Sequence, residues 1–206
     1  MTDTIIYFIR HGLVENPQNT FYGRLPRYKL SQTGQKQVQA ILPYFIGKTI
    51  SRIFSSPLLR TRQTAGIIRS VLPGAEFTTT ELLNEVKSPY DGVPLHVLDQ
   101  KNWDIYTGIP RSYEKPADIF ARAIKFCNRT IRQHHGESVI AVTHADVIIF
   151  LTLWVAGYDA NFESKSRIER KEIEIPFPAP ASISRFSWGE HQTKPGYEYF
   201  AAGLDE

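Results

Sequence analysis

Short apolar runs rich in β-branched and aromatic residues recur along the chain, and helix-length segments lie between most of them. The runs are 5–9 (IIYFI), 52–55 (RIFS), 75–79 (AEFTT), 138–143 (SVIAVT), 182–188 (SISRFSW) and 197–201 (YEYFA). Each has the composition of a strand. Three of the first four are short apolar runs, as strands covered on both faces require. Ser31 caps a predicted helix reaching about Phe45, with Val38, Ile41, Leu42 and Phe45 on one face. Pro43 predicts a kink or an early end there. Ser56-Pro57 reads as a cap followed by proline at the first helical position. That helix should reach about Val71 with Leu58, Ala65, Ile68 and Leu72 inward. Ile119, Ala123, Phe126, Thr130 and Ile131 mark a third helix, ended near Gly136. Residues 145–156 are apolar nearly all round and predict a buried fourth helix.

This alternation predicts an α/β fold: a doubly wound, mostly parallel sheet flanked by helices. A chain of 206 residues suits one domain, 1–206, with a sizeable core. Two regions interrupt the pattern. Residues 86–115 hold turn signals and the aromatics Tyr90, Trp103, Tyr106 and Tyr113, and read as a small lid-like insertion packed around those rings. Residues 160–181 mix charges with PFPAP and read as a surface excursion.

Composition narrows the function classes. The formal net charge is +3 and no Lys/Arg block accompanies it, so nucleic acid is not an expected partner. Cys127 stands alone, so no disulfide framework can form within the chain. The start Met1-Thr2-Asp3-Thr4 lacks the basic region of a signal peptide. The segment 139–157 approaches spanning length, but His144 and Asp146 sit near its middle. A charge there costs about 2.5–3.5 kcal/mol on insertion scales. A buried strand and helix fit better, and the expected location is cytoplasmic. His96, His134, His135 and His191 show no ligand spacing, so neither a metal nor another cofactor is expected. Nothing in the sequence fixes an oligomeric state.

In open α/β sheets, ligands bind beyond the carboxyl ends of the strands. Arg10-His11 follows the first run, Arg60 lies early in the helix after the second, and His144 follows the fourth. Four cationic or potentially cationic groups, remote in sequence, should thus meet at one sheet edge. Glu85, after the third run, should reach the same edge from the side.

The segments FIRHG, SSPLLRTRQTA and VIAVTHADV, in this order, resemble the three core motifs of the histidine phosphatase superfamily, the phosphoglycerate-mutase-like fold. KLSQTGQKQVQA resembles the family's segment between its first two motifs, and the resemblance spans roughly residues 5–160. It implies that His11 is the nucleophile and that Arg10, Arg60 and His144 hold the phosphoryl oxygens. Glu85, in the context Leu83-Asn84-Glu85, would protonate the leaving oxygen. The catalytic set is then His11, Glu85 and His144. Many members carry an asparagine six residues after the nucleophile. Here Pro17 stands there and Asn16 precedes it, so Asn16 is the candidate phosphate ligand. Two glycines that often follow the second histidine are Ala145 and Asp146 here. Asp146 is placed to repel an acidic substrate or to orient a hydroxyl. In FYGRLPRYKL, Tyr22 and Arg24, with Arg27 and Lys29 beyond them, are candidates for a substrate rim.

The chemistry suits these residue types. Guanidinium forks give phosphate oxygens two parallel charge-assisted bonds. A histidine attacks phosphorus only when neutral, and neighbouring arginines disfavour its charged form. Gly12 lets the backbone turn at once and approach the phosphate. The expected activity is metal-independent hydrolysis of a small phosphate monoester through a phosphohistidine. Two alternatives share these residues: a mutase-type phosphotransferase, and a non-catalytic module that binds phosphorylated ligands.

Overall fold

The computed structural model describes residues 3–189 and 192–202; Met1, Thr2, Glu190, His191 and residues 203–206 lie outside the described residues. The strands are β1 (Thr4–Arg10), β2 (Arg52–Ser55), β3 (Glu76–Thr79), β4 (Ser138–Thr143), β5 (Ile183–Trp188) and β6 (Gly196–Phe200). They form one six-stranded sheet in the order β3-β2-β4-β1-β5-β6. The pairs β3–β2, β2–β4 and β4–β1 are parallel, and β5 and β6 continue the sheet antiparallel. The predicted mostly parallel sheet is what forms, closed at one side by an antiparallel ribbon.

Alternation along the strands builds two cores. Ile6 and Phe8 of β1 and Val139 and Ala141 of β4 face one way. Tyr7, Ile9, Ile140 and Val142 face the other. Helices α1 (Gln32–Ala40) and α2 (Leu59–Arg69) cover the second face. Helices α4 (Pro116–Gln133) and α5 (Ala145–Val155) cover the first. Period-2 burial needs apolar cover on both faces, and the helices on each supply it. The connection after β1 therefore leaves toward one face and that after β4 toward the other. Between two such strands a crevice opens at their carboxyl ends.

Three local expectations are corrected. The helix from Ser31 ends at Ala40 and tightens into a 3₁₀ turn over 42–45. Pro43 has no N–H to continue the α ladder. Ser56 does not cap α2, which starts at Leu59 after an extended Leu58, so Pro57 is not its first residue. The Ser56 hydroxyl is committed elsewhere, to His144 and Asn84. Residues 160–181 are not a plain surface excursion. They contain α6 (Phe162–Glu169), capped by Asn161, with Ser164, Lys165, Ser166 and Ile168 buried. Segment 86–115 carries the short α3 (Leu95–Asp99) and sends Val86, Leu98, Ile105 and Tyr106 into the core.

The start of α1 and the turn after β1 are pressed together. A Cβ on Gly34 would fall well inside contact distance of the Leu13 carbonyl oxygen, and one on Gly12 inside that of the Gly34 carbonyl. Both neighbours are backbone and have no rotamer with which to yield. Gly34→Ala is therefore expected to lower stability by about 2 kcal/mol, within the range for overpacking. The loss is measurable by urea denaturation, and a stability unchanged to within about 0.5 kcal/mol would contradict this packing.

Candidate active site

The register of β1 and β4 pairs Arg10 with Thr143, and the His11 N–H bonds the Thr143 carbonyl at 3.1 Å. His11 and His144 are thus the next residues on two adjacent parallel strands. Their ring centroids lie 5.3 Å apart, at an interplanar angle of 65°. Arg60, on the first turn of α2, reaches between them. Its Nε–H donates to His11 Nε2 at 3.2 Å, and its Nη2 lies 3.3 Å from His144 Nδ1 and 3.5 Å from Glu85 Oε2. Nη2 also donates to the Gly23 carbonyl at 2.7 Å. Arg60 is fully buried, as is His144, and His11 is nearly so.

The protons can be assigned from the partners. His11 Nδ1 faces the Gly12 carbonyl at 2.8 Å. A carbonyl only accepts, so Nδ1 carries the hydrogen and Nε2 presents its lone pair. Burial, then the charges of Arg60, His144 and Arg10, hold the His11 pKa well below 6.5. His144 Nε2 lies 2.9 Å from Ser56 Oγ, which donates onward to Asn84 Oδ1. That chain places the His144 hydrogen on Nε2 and leaves Nδ1 facing Arg60 and Glu85. Burial lowers the His144 pKa to about 4 against the opposing pull of Glu85. Burial raises the Glu85 carboxyl, but His144, Arg60 and the Val86 N–H outweigh it and hold it well below the ordinary carboxylate range. Glu85 Oε2 lies 3.3 Å from His144 Nδ1. Near neutral pH the site thus holds two neutral imidazoles, one carboxylate and one guanidinium. The pair Glu85–His144 has room for one further proton when negative charge arrives.

Arg10, Glu85, Asp146, Lys165 and Tyr22 line a cavity of about 1000 Å³. His11, Arg60 and His144 lie behind its wall. The Tyr22 ring covers them, its centroid 4.8 Å from Arg60 Cζ and 6.4 Å from the His11 ring. Arg10 Nη1 donates to the Pro178 carbonyl at 2.7 Å, and its buried Nε has no partner among the described residues. His11, Glu85 and His144 offer donor atoms within 4.8 Å of one another, the spacing of a metal triad. Arg60 touches all three, and a guanidinium in that position opposes a second cation.

The structure brings His11, Arg60, His144 and Glu85 together, with Arg10 and Tyr22 beside them. Asn16 is not brought in. Its amide is spent closing its own loop, Nδ2 to the Thr20 carbonyl at 2.9 Å and Oδ1 from the Thr20 N–H at 3.2 Å. Arg24 is not a free rim cation. Its Nε donates to the Glu85 carbonyl at 2.7 Å and its Nη2 to Glu114 at 2.8 Å. Arg122 donates to the same Glu85 carbonyl at 3.3 Å and to Glu114 at 2.8 Å. Two arginines anchored on one acid therefore clamp the backbone of Glu85. Arg122, Glu114, Ser56 and Asn84 were not anticipated from the sequence. Each acts through a partner remote along the chain, and no local spacing marks it.

A central parallel sheet with two imidazoles and a guanidinium at its switch point matches one family in particular. The chain belongs to the histidine phosphatase superfamily (branch 1), whose model matches residues 6–194. It is 29% identical over 164 residues to an uncharacterised protein of Mycobacterium tuberculosis, covering 75% of this chain and 80% of that one. It is 38% identical over 82 residues to a 5''-phosphoribostamycin phosphatase of Niallia circulans, covering 39% of this chain and 38% of the relative. The crystal structure of the α-ribazole phosphatase of Shigella flexneri superposes with a TM-score of 0.72 at 19% identity, covering 98% of this chain and all of that one.

The buried neutral imidazoles have a consequence for stability. A folded pKa below the unfolded value means that the unfolded chain binds more protons. Stability is then full above about 6.5, the unfolded histidine value, and is lost as pH falls toward the folded values. The melting temperature is expected to drop as pH falls from 6.5 to 4, and His144→Gln should flatten that slope. A melting temperature independent of pH over this window would show that the imidazoles are not held neutral.

Proposed function

We propose that this chain is a metal-independent phosphomonoesterase that works through a phosphohistidine on a small phosphorylated metabolite. The supporting observation is the convergence of His11 Nε2, Arg60 and His144, with Nδ1 of His11 fixed as the protonated nitrogen by the Gly12 carbonyl. Relatives named for hydrolysis of phosphorylated small molecules fit the same activity. A single buried free thiol suits a cytoplasmic enzyme. We read residues 86–115, together with 160–181, as the lid over one domain.

The phosphoryl group takes the place that the Glu85 carboxylate and Gly23 carbonyl hold as partners of Arg60. Tyr22 and Gly23 must shift to admit it. The monoester's second pKa is near 6, so its monoanion carries one proton into the site. That proton passes to the Glu85–His144 pair, where the phosphoryl charge now offsets the pull of Arg60. His11 Nε2 attacks phosphorus in line, the N–P bond forms, and the P–O bond to the alcohol breaks. Glu85 gives its proton to the departing oxygen. A water then loses a proton to the Glu85 carboxylate and attacks the phosphohistidine, and the N–P bond breaks to release phosphate. Arg10 and Arg60 hold the equatorial oxygens throughout, where most of the charge lies.

Wild-type protein incubated with a radiolabelled monoester and quenched should carry an acid-labile label that His11→Ala abolishes. Chelator should leave turnover unchanged. Tight phosphate binding without label or turnover would establish a binding module instead. Transfer to a second alcohol without net phosphate release would establish a mutase.

Glu85→Gln tests the acid separately. For an alkyl phosphate, kcat should fall at least about 100-fold, the usual contribution of a positioned acid. For 4-nitrophenyl phosphate, whose leaving oxygen needs little protonation, the fall should be about tenfold or less. Equal losses on both substrates would remove Glu85 from that role.

A further inference from the structure

Beyond Glu85 the cavity is walled mainly by apolar side chains. Leu95, Trp103 and Ile105 come from the 86–115 segment, and Ile168, Ile173 and Ile175 from the 160–181 segment. One ion pair is set into this wall. Lys165 Nζ lies 2.7 Å from Asp146 Oδ1, with both side chains less than a tenth exposed. Asp146 stands two residues after His144, on the first turn of α5, so the pair sits on the alcohol side of the reacting group. The Tyr106 hydroxyl donates to Asp146 Oδ2. The Tyr106 ring lies 5.7 Å from the Lys165 ammonium. Burial would push Lys165 toward its neutral form, but Asp146 outweighs it and keeps the ammonium protonated.

A buried ion pair is weak support for a fold, since apolar side chains of similar volume often serve as well or better. Here the pair borders a cavity rather than a packed interior, and its hydrogen-bonding capacity is not used up. Asp146 Oδ1 takes one of the three N–H groups of Lys165. Among the described residues, no second acceptor bonds to Nζ. The remaining donors need an acceptor from a bound molecule or from water. The charges limit what that molecule can be. Once a phosphoryl group occupies Arg10 and Arg60, Lys165 is the deep cation that remains, and Asp146 already neutralises it. The Glu169 carboxylate adds further negative charge at the same wall. Lys171 also lines the cavity, but it is solvent-exposed, and the exposed Glu174 lines it too. A second anion seated at the buried pair would meet a cation already neutralised by Asp146 and would be desolvated beside two carboxylates.

We propose that the Asp146–Lys165 pair is the specificity element for the alcohol half of the substrate. It favours an apolar-bodied alcohol, uncharged or cationic, that carries a hydroxyl toward Lys165 or an ammonium toward the Asp146 and Glu169 carboxylates. It disfavours an alcohol that carries a carboxylate or a second phosphate. This rests on the phosphatase reading above and adds the substrate class to it.

A matched set of aryl phosphates tests it: phenyl phosphate bearing a para hydroxymethyl, aminomethyl or carboxylate group. Wild-type kcat/KM for the hydroxymethyl and aminomethyl esters should exceed that for the carboxylate ester at least about tenfold, mostly through KM. A further variant, Asp146→Asn with Lys165→Met, removes both charges together and leaves no lone buried ion. In it the preference should shrink to about threefold or less. A wild type that hydrolyses the carboxylate ester as well as the others overturns the proposal, whether or not the variant folds. A folded double variant that keeps the full preference also overturns it. A wild type that hydrolyses none of the three overturns the phosphatase reading and this inference with it, an outcome distinct from turnover without preference.

Discussion

The guanidinium of Arg60 has no exposed surface, and four partners of quite different chemistry surround it: two imidazole nitrogens, one carboxylate and one backbone carbonyl. A guanidinium cannot escape burial by losing its proton at any ordinary pH. Its neighbours must adjust instead. Both histidines are held neutral and Glu85 is held ionised. Burial is the larger cause for both histidines and Arg60 adds to it, while His144 and Arg60 together hold Glu85 ionised. This charge state is also what a phosphate monoester requires. On the proposed reading, His11 is unprotonated without an adjacent base, and Glu85 takes up a proton only when anionic charge arrives to offset the cation.

Strand register provides the second constraint. His11 and His144 need no loop to bring them together, because each is the next residue on one of two hydrogen-bonded parallel strands. The ladder fixes their separation to the precision of a sheet spacing, near 4.8 Å. Arg60 and Glu85 arrive less directly. Arg60 depends on where α2 starts, and Glu85 depends on the clamp of Arg24 and Arg122 on its carbonyl. His11 and His144 therefore sit at the ends of two hydrogen-bonded strands, and Glu85 sits on a braced loop.

This division explains what could be read from the sequence. β1 and β4 were legible because a buried parallel sheet needs short apolar runs, whereas the more exposed β3 and β6 were legible from their β-branched and aromatic residues. His11 and His144 were legible because each follows directly from a strand end, and Arg60 because it lies early in the helix after the second strand. Asn16 is held apart from the cluster because its carboxamide satisfies the backbone of its own loop, a local competition that sequence spacing does not reveal. Ser56 had the composition of a cap, yet its hydroxyl bonds His144 across the site, and tertiary context outweighed local preference. Helix α6 was missed because its sequence, FESKSRIE, mixes polar residues with few apolar ones. The buried polar side chains Ser164, Lys165 and Ser166 face the rest of the protein where a sequence pattern would seek apolar residues.

The two ends of the cavity are consequently built to different rules. At the phosphoryl end, position is set by a ladder of backbone hydrogen bonds, and substitutions there disturb the sheet itself. At the alcohol end the walls come from 86–115 and 160–181, segments that lie outside the sheet and pack onto it through side chains. Their residues are not part of the β1–β4 ladder that places His11 and His144. On the proposed reading, the phosphoryl end and the alcohol end are built by separate parts of the fold. The bridge between the two ends is Asp146, which shares the first turn of α5 with the end of the strand that delivers His144 and reaches across to Lys165 on α6. A side chain placed there senses the alcohol without touching the phosphoryl oxygens. Selectivity set at Asp146 should then appear in how tightly the ester is held, and the rate of the chemical step should depend on Arg60 and its partners.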